Sequence, residues 1–328
     1  MSVQLTSTGM KPNVWLRTDS LDTRSSRISK LSKTLYLGPN FYHEPSPPNH
    51  IPLDDIDVIV TFGVHDSLPF LERMPNVAWI HSLSVGVEAL RFDLIQRRNI
   101  VVTNSRGCTA VPIAEHVLAA ILGWARGLPQ FYRLQRQQRW KGIPVRELAD
   151  SVVGIVGYGS IGKEIAKRCK ALGMTVIACR NRVAPDPDVD EMLTPQSLNK
   201  LLQEADFVVN CLPASSDNIG YFDAHKFARM RSDAVFINVG RGLTVDENAL
   251  VEALRQRRIE GAILDVFSAE PLPAGHPLWT LDNVVITPHH SYASPRNAER
   301  LSELFEENLT RYVRGLPLLN VVDVTRGY

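Results

Sequence analysis

A glycine-rich turn near the middle of the chain limits what this sequence can fold into. Gly157, Gly159 and Gly162 form a G-x-G-x-x-G motif that follows the apolar run 152–156, and a helical pattern comes after it. In such a strand–turn–helix unit, the first glycine permits a tight turn, the second leaves space for a pyrophosphate, and the third lets helix and strand pack closely. Ser160 and Ile161 lie where the helix begins, and its free N–H groups can bind the anion. The motif alone is a weak signal, but in this context it predicts a dinucleotide site.

Short apolar runs alternate with helix-length amphipathic segments, a pattern that is typical of parallel α/β structure. Apolar residues recur at helical spacing between Ile113 and Leu128, so one long helix is expected to link two series of strands. A further amphipathic helix is expected at 295–315. The strands predicted before the linking helix are 13–16, 58–62, 77–81 and 100–103, with a Pro-rich loop at 45–48. Those predicted after it are 152–156, 175–179, 207–210, 235–238, 261–264 and 284–286. The fold class is therefore α/β, with two Rossmann-like or flavodoxin-like parallel sheets.

Composition and charge exclude several classes of protein. There are 36 Lys and Arg against 35 Asp and Glu, and the net charge of +1 offers no overall field for binding nucleic acid or an anionic membrane. Hydrophobic residues make up 44% of the chain and charged residues 22%, which excludes wholesale disorder. The longest apolar stretch, 117–124, is far shorter than the ~18 residues that a membrane span needs.

The cysteines and the N-terminal residues indicate the compartment. The four cysteines include no C-x-x-C pair and the histidines lack metal-ligand spacing, so neither a disulfide nor a metal site is expected. Residues 1–13 are polar and lack the apolar core of a signal peptide. These features predict a cytoplasmic protein.

The end of the second strand in the later series carries the choice between NAD and NADP. An NAD site normally has Asp or Glu there to accept hydrogen bonds from the ribose 2′-OH, whereas this sequence has Arg180 and Arg182 and no acid before Asp186. A guanidinium can bind a 2′-phosphate through two parallel charge-assisted hydrogen bonds. NADP(H) is therefore the predicted cofactor, and NAD(H) remains possible. The alternative is that both arginines are solvated charges at the end of a strand.

Three residues of the later series have the chemistry of an acid–base site. Arg241, Glu270 and His289 each follow a predicted strand, and ligands bind at the carboxyl ends of strands in open α/β sheets. An arginine can hold a carboxylate and polarise a keto oxygen, a histidine can give that oxygen its proton, and a glutamate can orient the imidazole. Each residue alone could be structural. The set suits hydride transfer to a 2-keto acid.

Several segments resemble the D-isomer-specific 2-hydroxyacid dehydrogenase family, which includes D-lactate and D-3-phosphoglycerate dehydrogenases and glyoxylate/hydroxypyruvate reductases. The similarity covers most of the chain, and such an ordered set of motifs is highly specific. Arg180 in place of an acid resembles the NADP-using reductases of the family. The similar segments are 84–88, 103–105, 114–116, 154–162, 211–213, 264–267, 270–272, 287–289 and the segment around Arg241.

The resemblance implies a role for individual residues. Arg241 would anchor the substrate, Glu270 would orient the imidazole, and His289 would donate the proton. The backbone amides of Val85 and Gly86 would hold the substrate carboxylate. Tyr292 is a further predicted substrate-binding residue, although it departs from the family pattern. On the cofactor side, Leu212 and Pro213 would line the adenosine, Asp265 would face the nicotinamide carboxamide, and Val239 and His289 would also contact the cofactor.

The resemblance also implies an organisation into domains. A discontinuous substrate-binding domain would comprise 1–106 and 295–328, a dinucleotide-binding domain would comprise 107–294, and a cleft would separate them. Family members are usually dimers, so a homodimer is expected. The predicted activity is NADPH-dependent reduction of a small 2-keto acid, such as glyoxylate or hydroxypyruvate, to the D-2-hydroxy acid.

Some residues depart from the family pattern, and one other function stays open. Glu88 stands where Asp is more common, and the aromatic Tyr292 and Trp279 would alter the size of the substrate pocket, so the identity of the keto acid is open. The alternative function is that of an NAD(H)-sensing, corepressor-like binding protein of the same fold, because such proteins keep the Arg/Glu/His set. A formate-oxidising relative is disfavoured, since those enzymes have Gln where Glu270 stands here.

Overall fold

The computed structural model describes residues 12–16, 41–43, 52–63 and 66–325, so the Pro-rich loop predicted at 45–48 lies outside the described residues. The chain divides into two compact units, one formed by Met1–Cys108 with Ser294–Tyr328 and the other by Thr109–Ala293. Among the described strands, every paired couple is parallel. The α/β class with two parallel sheets is therefore confirmed. The domain boundaries predicted after residues 106 and 294 stay predictions, because a compact unit need not coincide with a functional domain.

The first unit contains a five-stranded sheet with the order β2-β1-β3-β4-β5, which is the flavodoxin-like order. Its strands are β1 (Val14–Leu16), β2 (Phe41–His43), β3 (Val58–Thr61), β4 (Trp79–Ser82) and β5 (Val101–Asn104). Helix α1 spans Phe92–Arg97, and the C-terminal helix α8 spans Asn297–Val313. Residues after α8 return to the sheet, because Val322 N–H donates to the carbonyl oxygen of Val102 at 2.8 Å.

The second unit contains a seven-stranded sheet with the order β12-β11-β10-β9-β6-β7-β8, which is a Rossmann order with a seventh strand at one edge. Its strands are β6 (Val152–Val156), β7 (Thr175–Cys179), β8 (Glu191–Leu193), β9 (Phe207–Asn210), β10 (Val235–Asn238), β11 (Gly261–Leu264) and β12 (Val284–Ile286). Its helices are α2 (Ala110–Ala125), α3 (Leu128–Arg136), α4 (Ser160–Ala171), α5 (Leu198–Glu204), α6 (Ala224–Phe227) and α7 (Glu247–Arg255). Short 3₁₀ helices lie at 53–55, 71–73, 195–197, 216–218, 242–244 and 277–280.

Both faces of the second sheet are covered, as expected for strands that are apolar throughout. Val117 and Ile121 of α2 are fully buried in one cluster with Ile165 of α4 and Ile155 of β6. The opposite face packs against α5, α6 and α7 through a cluster that includes Phe236. Because the sheet is parallel, the carboxyl ends of all its strands lie along one edge, and this edge carries the residues considered below.

The long helix predicted over 113–128 is present as α2, but its predicted end at Leu128 is wrong. Helix α2 ends at Ala125 and α3 begins at Leu128, and Gly127 between them has a φ of 69° in the left-handed region. Glycine adopts this conformation without the steric cost that a Cβ would bring, so it separates two helices whose apolar spacing is continuous. The six strands predicted for the second unit have the observed bounds, while the short strands β2 and β8 were not predicted, since three residues carry no clear alternation.

The described part of the chain contains no helix that is both long and apolar enough to cross a membrane. Within the same residues, no group of three or more His, Cys, Asp or Glu side chains is arranged to hold a metal ion. The four cysteines, Cys108, Cys169, Cys179 and Cys211, are free thiols.

Candidate active site

The glycine-rich turn joins β6 to α4 and leaves an open space at the start of the helix. Gly157 has a φ of 96°, and a Cβ on it would lie 2.8 Å from the carbonyl carbon of Cys211. A Cβ on Gly162 would lie 3.1 Å from the carbonyl oxygen of Gly157. By contrast, a Cβ built on Gly159 meets no atom of the described residues within 4 Å other than those of the glycine and its two chain neighbours. Ser160 and Ile161 form the first turn of α4, whose N–H groups and positive dipole end favour an anion in that space.

Arg180 directly follows β7, and its backbone N–H donates to the carbonyl oxygen of Leu193 at 3.0 Å. Its side chain is half-buried, whereas Arg182 is exposed. The first acid after them, Asp186, lies 3.5 Å from Lys163 Nζ on α4. Burial raises the pKa of Asp186, but hydrogen bonds from the Asp188 backbone N–H and from Lys163 outweigh this effect and hold the pKa below its usual value. Asp186 therefore forms an ion pair with Lys163 of α4.

The loops that follow β9 and β10 approach each other closely. A Cβ on Gly240 would lie 2.9 Å from the backbone nitrogen of Leu212, so this contact requires glycine. Leu212 and Pro213 are half-buried, and Val239 is buried with its N–H bonded to the carbonyl oxygen of Asn210 at 3.2 Å. Three of the predicted cofactor-binding residues, Leu212, Pro213 and Val239, thus lie on two adjoining loops.

Arg241 follows Gly240 in extended backbone conformation. Its Nη1 donates to the carbonyl oxygen of Gly240 at 3.0 Å, and its own carbonyl oxygen accepts a hydrogen bond from Thr244 Oγ1 at 2.6 Å. A Cβ on Gly242 would overlap the backbone of Phe267, which lies just after β11. The Arg241 loop therefore packs directly against the segment that leads to Glu270.

The side chains of His289 and Glu270 are in direct contact. His289 Nδ1 lies 2.7 Å from Glu270 Oε2, and Glu270 Oε1 accepts the backbone N–H of Phe267 at 2.9 Å. The exposed fractions of the two side chains are 42% and 34%. One carboxylate oxygen is thus fixed by the backbone and the other by the imidazole. The opposite ring nitrogen, Nε2, is the one that can exchange a proton with a ligand.

Asp265 organises the turn that carries His289. Its carboxylate accepts hydrogen bonds from Thr287 Oγ1, from the N–H of His290 at 2.9 Å and from the N–H of Ser291 at 3.0 Å. Burial raises the pKa of Asp265, but these hydrogen bonds outweigh it and lower the pKa, so the carboxylate is charged at neutral pH. His289 itself has a φ of 48°, and its N–H donates to the carbonyl oxygen of Asp265 at 2.8 Å.

Two aspects of this turn were not predicted from the sequence. The first is that the Asp265 carboxylate contacts residues 287–291, although an Asp and a Thr at the ends of the adjacent strands β11 and β12 are a signal that could have indicated it. The second is His116 on α2, whose Nε2 is buried with no hydrogen-bond partner among the described residues. The pKa of His116 is lowered, mainly by burial. The negative charge of Asp265 raises this pKa and the nearby His290 lowers it, but neither effect is as large as that of burial. His116 therefore lies within the electrostatic reach of the same turn.

Tyr292 lies beside the paired histidine. Its ring meets that of His289 edge-on, with centroids 6.1 Å apart and an interplanar angle of 84°, and it also meets the ring of His290 at 6.1 Å. The side chain is 46% exposed. The second unit thus brings Glu270, His289 and Tyr292 into one cluster.

The predicted carboxylate-binding segment belongs to the first unit. Val85 and Gly86 follow β4, and their carbonyl oxygens accept hydrogen bonds from Asn104 Nδ2 at 2.8 Å and from Ser84 Oγ at 2.7 Å. These bonds fix the peptide planes of the segment. Val85 is half-buried, Gly86 is buried, and Glu88 is exposed.

Comparisons with known proteins agree on one family. Residues 118–291 match the model described as "D-isomer specific 2-hydroxyacid dehydrogenase, NAD binding domain". The glyoxylate reductase of Korarchaeum cryptofilum is 30% identical over 317 residues, which are 93% of this chain and 94% of that protein. The chain spans about half the length of the D-3-phosphoglycerate dehydrogenases of Archaeoglobus fulgidus and Methanocaldococcus jannaschii that it also matches.

Solved structures show the same similarity over nearly the whole chain. A D-isomer specific 2-hydroxyacid dehydrogenase from Xanthobacter autotrophicus Py2, in complex with NADPH and MES, has a TM-score of 0.84 at 30% identity and covers 97% of this chain and 100% of that chain. An NADPH-dependent glyoxylate/hydroxypyruvate reductase from Sinorhizobium meliloti, in complex with NADP and sulfate, has a TM-score of 0.83 at 28% identity with the same coverage. The chain therefore belongs to the D-isomer specific 2-hydroxyacid dehydrogenases, a family of NAD(P)-dependent oxidoreductases.

Proposed function

We propose that this protein reduces a small 2-keto acid of the glyoxylate or hydroxypyruvate type with NADPH, and that it forms the D-2-hydroxy acid where the product is chiral. The observation that carries the proposal is the contact of 2.7 Å between His289 Nδ1 and Glu270 Oε2. The glyoxylate and hydroxypyruvate reductases among the relatives support the substrate class.

His289 is the proposed general acid, and Glu270 is the residue that orients it. With Nδ1–H donated to the carboxylate, Nε2 carries the proton that passes to the keto oxygen as the alcohol forms. A carboxylate at this distance fixes the ring and stabilises the positive charge of the imidazolium before the transfer. In the reverse direction the neutral His289 accepts the same proton.

Arg241 is the proposed anchor of the keto acid. Its guanidinium can bind the substrate carboxylate through two parallel hydrogen bonds and polarise the keto oxygen. Val85 and Gly86 are proposed substrate-binding residues through their backbone amides. Tyr292 is proposed to limit the size of the substituent on the keto carbon, a role supported by its edge-on contact with His289.

The residues of the glycine-rich turn fit a dinucleotide, since the space beside Gly159 is open and adjoins the N-terminus of α4. Bound NADPH supplies the hydride that reduces the keto carbon. Arg180 and Arg182 are proposed to bind its 2′-phosphate, which is supported by the absence of an acid before Asp186 in the sequence and by relatives crystallised with NADP(H). NAD(H) remains a possible second cofactor. The other proposed contacts are Gly157, Ser160, Ile161 and Gly162 for the pyrophosphate, Leu212 and Pro213 for the adenosine, and Val239, Asp265 and His289 for the nicotinamide side.

A panel of 2-keto acids, assayed with NADPH and NADH in parallel, tests this proposal. We expect oxidation of NADPH with glyoxylate or hydroxypyruvate, and a higher kcat/KM for NADPH than for NADH. A preference for NADH would contradict the cofactor assignment alone. Binding of the dinucleotide without turnover of any keto acid would instead favour a corepressor-like binding protein.

We further propose a homodimer in the cytoplasm. Two exposed aromatic side chains support a subunit interface at α3 and the residues that follow it. Tyr132 of α3 is 62% exposed, and Trp140 is fully exposed. The free thiols support a reducing compartment. Light scattering tests the first point, with a mass of twice the 36.6 kDa of one chain expected.

A further inference from the structure

The loops after β9 and β10 share a buried polar cluster formed by Asn210, Asn238 and Thr244. The exposed fractions of these residues are 0%, 1% and 0%. Asn210 Nδ2 donates to Asn238 Oδ1 at 3.0 Å and to Thr244 Oγ1 at 2.7 Å. Burying three polar side chains is unfavourable unless all are hydrogen-bonded, and a cluster that is hydrogen-bonded holds one specific geometry.

The remaining hydrogen bonds of the cluster go to the backbone of the two loops. Asn210 Oδ1 accepts the N–H of Leu212 at 3.1 Å, and Asn238 Oδ1 accepts the N–H of Gly240 at 3.1 Å. Thr244 Oγ1 donates to the carbonyl oxygen of Arg241 at 2.6 Å, and Asn238 Nδ2 donates to the same oxygen at 3.4 Å. Asn210 is therefore hydrogen-bonded to the loop after β9 directly and to the loop after β10 through Asn238 and Thr244. Thr244 is hydrogen-bonded to the backbone of the Arg241 loop.

The donor and acceptor roles of the side chains in the cluster are fixed. The carboxamide of Asn210 must present its oxygen to Leu212 and its NH₂ group to two acceptors, so neither Asp nor Leu could replace it in all its bonds. The hydroxyl of Thr244 accepts from Asn210 and uses its single hydrogen for Arg241. A change at one residue is thus transmitted to the orientation of the next.

We infer that Asn210 and Thr244 are positioning residues, which hold the loop proposed to line the adenosine in register with the loop that carries Arg241. The inference rests on the proposed function, since it assigns Leu212 to the cofactor and Arg241 to the keto acid. Through this cluster, the placement of the cofactor-side loop and that of the substrate anchor are set together.

The first experiment compares Thr244→Val with Thr244→Ser. Valine keeps the shape of threonine but removes the hydroxyl. A buried hydrogen bond contributes about 0.5–1.5 kcal/mol, so the KM for glyoxylate is expected to rise about 2- to 12-fold. The KM for NADPH is expected to rise less than the KM for glyoxylate, because the N–H of Leu212 keeps its bond to Asn210 although Asn210 loses its bond to Thr244. Serine restores the hydroxyl and the wild-type KM for glyoxylate.

Asn283→Ala is the matched control in the same unit. Asn283 is 5% exposed, and its Nδ2 donates to the carbonyl oxygens of Leu254 and Glu260, away from both loops. This variant lowers Tm but leaves both KM values at the wild-type level. An unchanged KM for glyoxylate in Thr244→Val, or equal changes in Thr244→Val and Asn283→Ala, would overturn the inference.

The second experiment uses Asn210→Ala and does not depend on turnover. Loss of the carboxamide is expected to speed hydrogen exchange at the Leu212 amide and also at the Gly240 amide, which Asn210 reaches only through Asn238. Faster exchange at Leu212 alone would mean a local role and would overturn the inference. If Asn210→Ala does not fold, the same measurement on Thr244→Val decides, with faster exchange at Gly240 expected and an unchanged rate contradicting the inference. Absence of keto-acid turnover in the wild type would reject the proposed function and leave the exchange test valid.

Discussion

Two histidines, one in each unit, show how the surroundings decide what the same side chain can do. His81 lies on β4 of the first unit with no exposed surface, its Nδ1 is 2.8 Å from Thr103 Oγ1, and it packs against Phe305 of α8. Burial lowers its pKa to about 3. His289 in the second unit is 42% exposed and contacts the carboxylate of Glu270. The first histidine is a neutral core residue, whereas the second has the carboxylate and the solvent access that proton transfer needs.

Replacement of the exposed histidine should have the largest effect. His289→Ala removes the proposed general acid, and the loss of such a group typically lowers turnover ~10²–10⁴-fold. Because the side chain is exposed, Tm should change little, and NADPH binding measured by calorimetry should persist. Steady-state kcat with glyoxylate is the measurement. If His289→Ala kept full kcat, His289 would not be the general acid, and the proposed difference in function between His289 and His81 would be wrong.

A change in the carboxylate separates orientation from proton transfer. Glu270→Gln keeps the size of the side chain but loses the charge opposite His289 Nδ1. A hydrogen bond to a charged group contributes about 1.5–3 kcal/mol, so kcat/KM is expected to fall roughly 10- to 100-fold. The alkaline limb of the pH profile for reduction should also move to lower pH, because the protonated imidazole loses the charge that stabilises it, and a merely structural change would not cause this. Glu260→Gln, at a carboxylate bonded to Trp124, is a control that should leave the pH profile unchanged.

The buried histidine should affect stability and not turnover. The pKa of His81 is lowered from 6.5 to about 3 in the folded protein, so between these values the unfolded chain binds a proton that the folded chain does not. Its contribution to the free energy of unfolding is therefore present above pH 6.5 and is lost as the pH falls toward 3, by at most about 1.4 kcal/mol per pH unit.

Denaturant unfolding of the wild type and of His81→Leu at several pH values measures this contribution. The slope of the unfolding free energy against pH should be smaller in the variant between pH 6.5 and 4. Carboxylates such as Asp265, whose pKa is lowered, contribute to both proteins and cancel in the difference. Equal slopes in the two proteins would mean that His81 is protonated in the folded state.

Features set by neighbouring residues could be predicted from the sequence, whereas features set by contacts between distant residues could not. Strands of the second unit were predictable because their apolar runs are continuous and bounded by turn residues. The helix break at Gly127 was not, since the apolar spacing continues through it and only the backbone conformation marks the break. Arg241, Glu270 and His289 could be selected by residue type and order, whereas the direction of the Asp265 carboxylate depends on a turn more than 20 residues away. Nor could the burial of His81 be predicted, because its cover comes from Phe305 of α8.

The smallest effect is expected at His290, the residue beside the proposed acid. Both histidines contact the ring of Tyr292 and lie on the same turn, but the carboxylate of Glu270 contacts His289. His290 contributes its backbone N–H to Asp265, and that bond persists in any variant other than proline. His290→Gln should therefore keep kcat with glyoxylate within about twofold, as surface changes usually do. A loss as large as that of His289→Ala would show that His290 is also required for turnover, so the carboxylate contact alone would not decide which histidine transfers the proton.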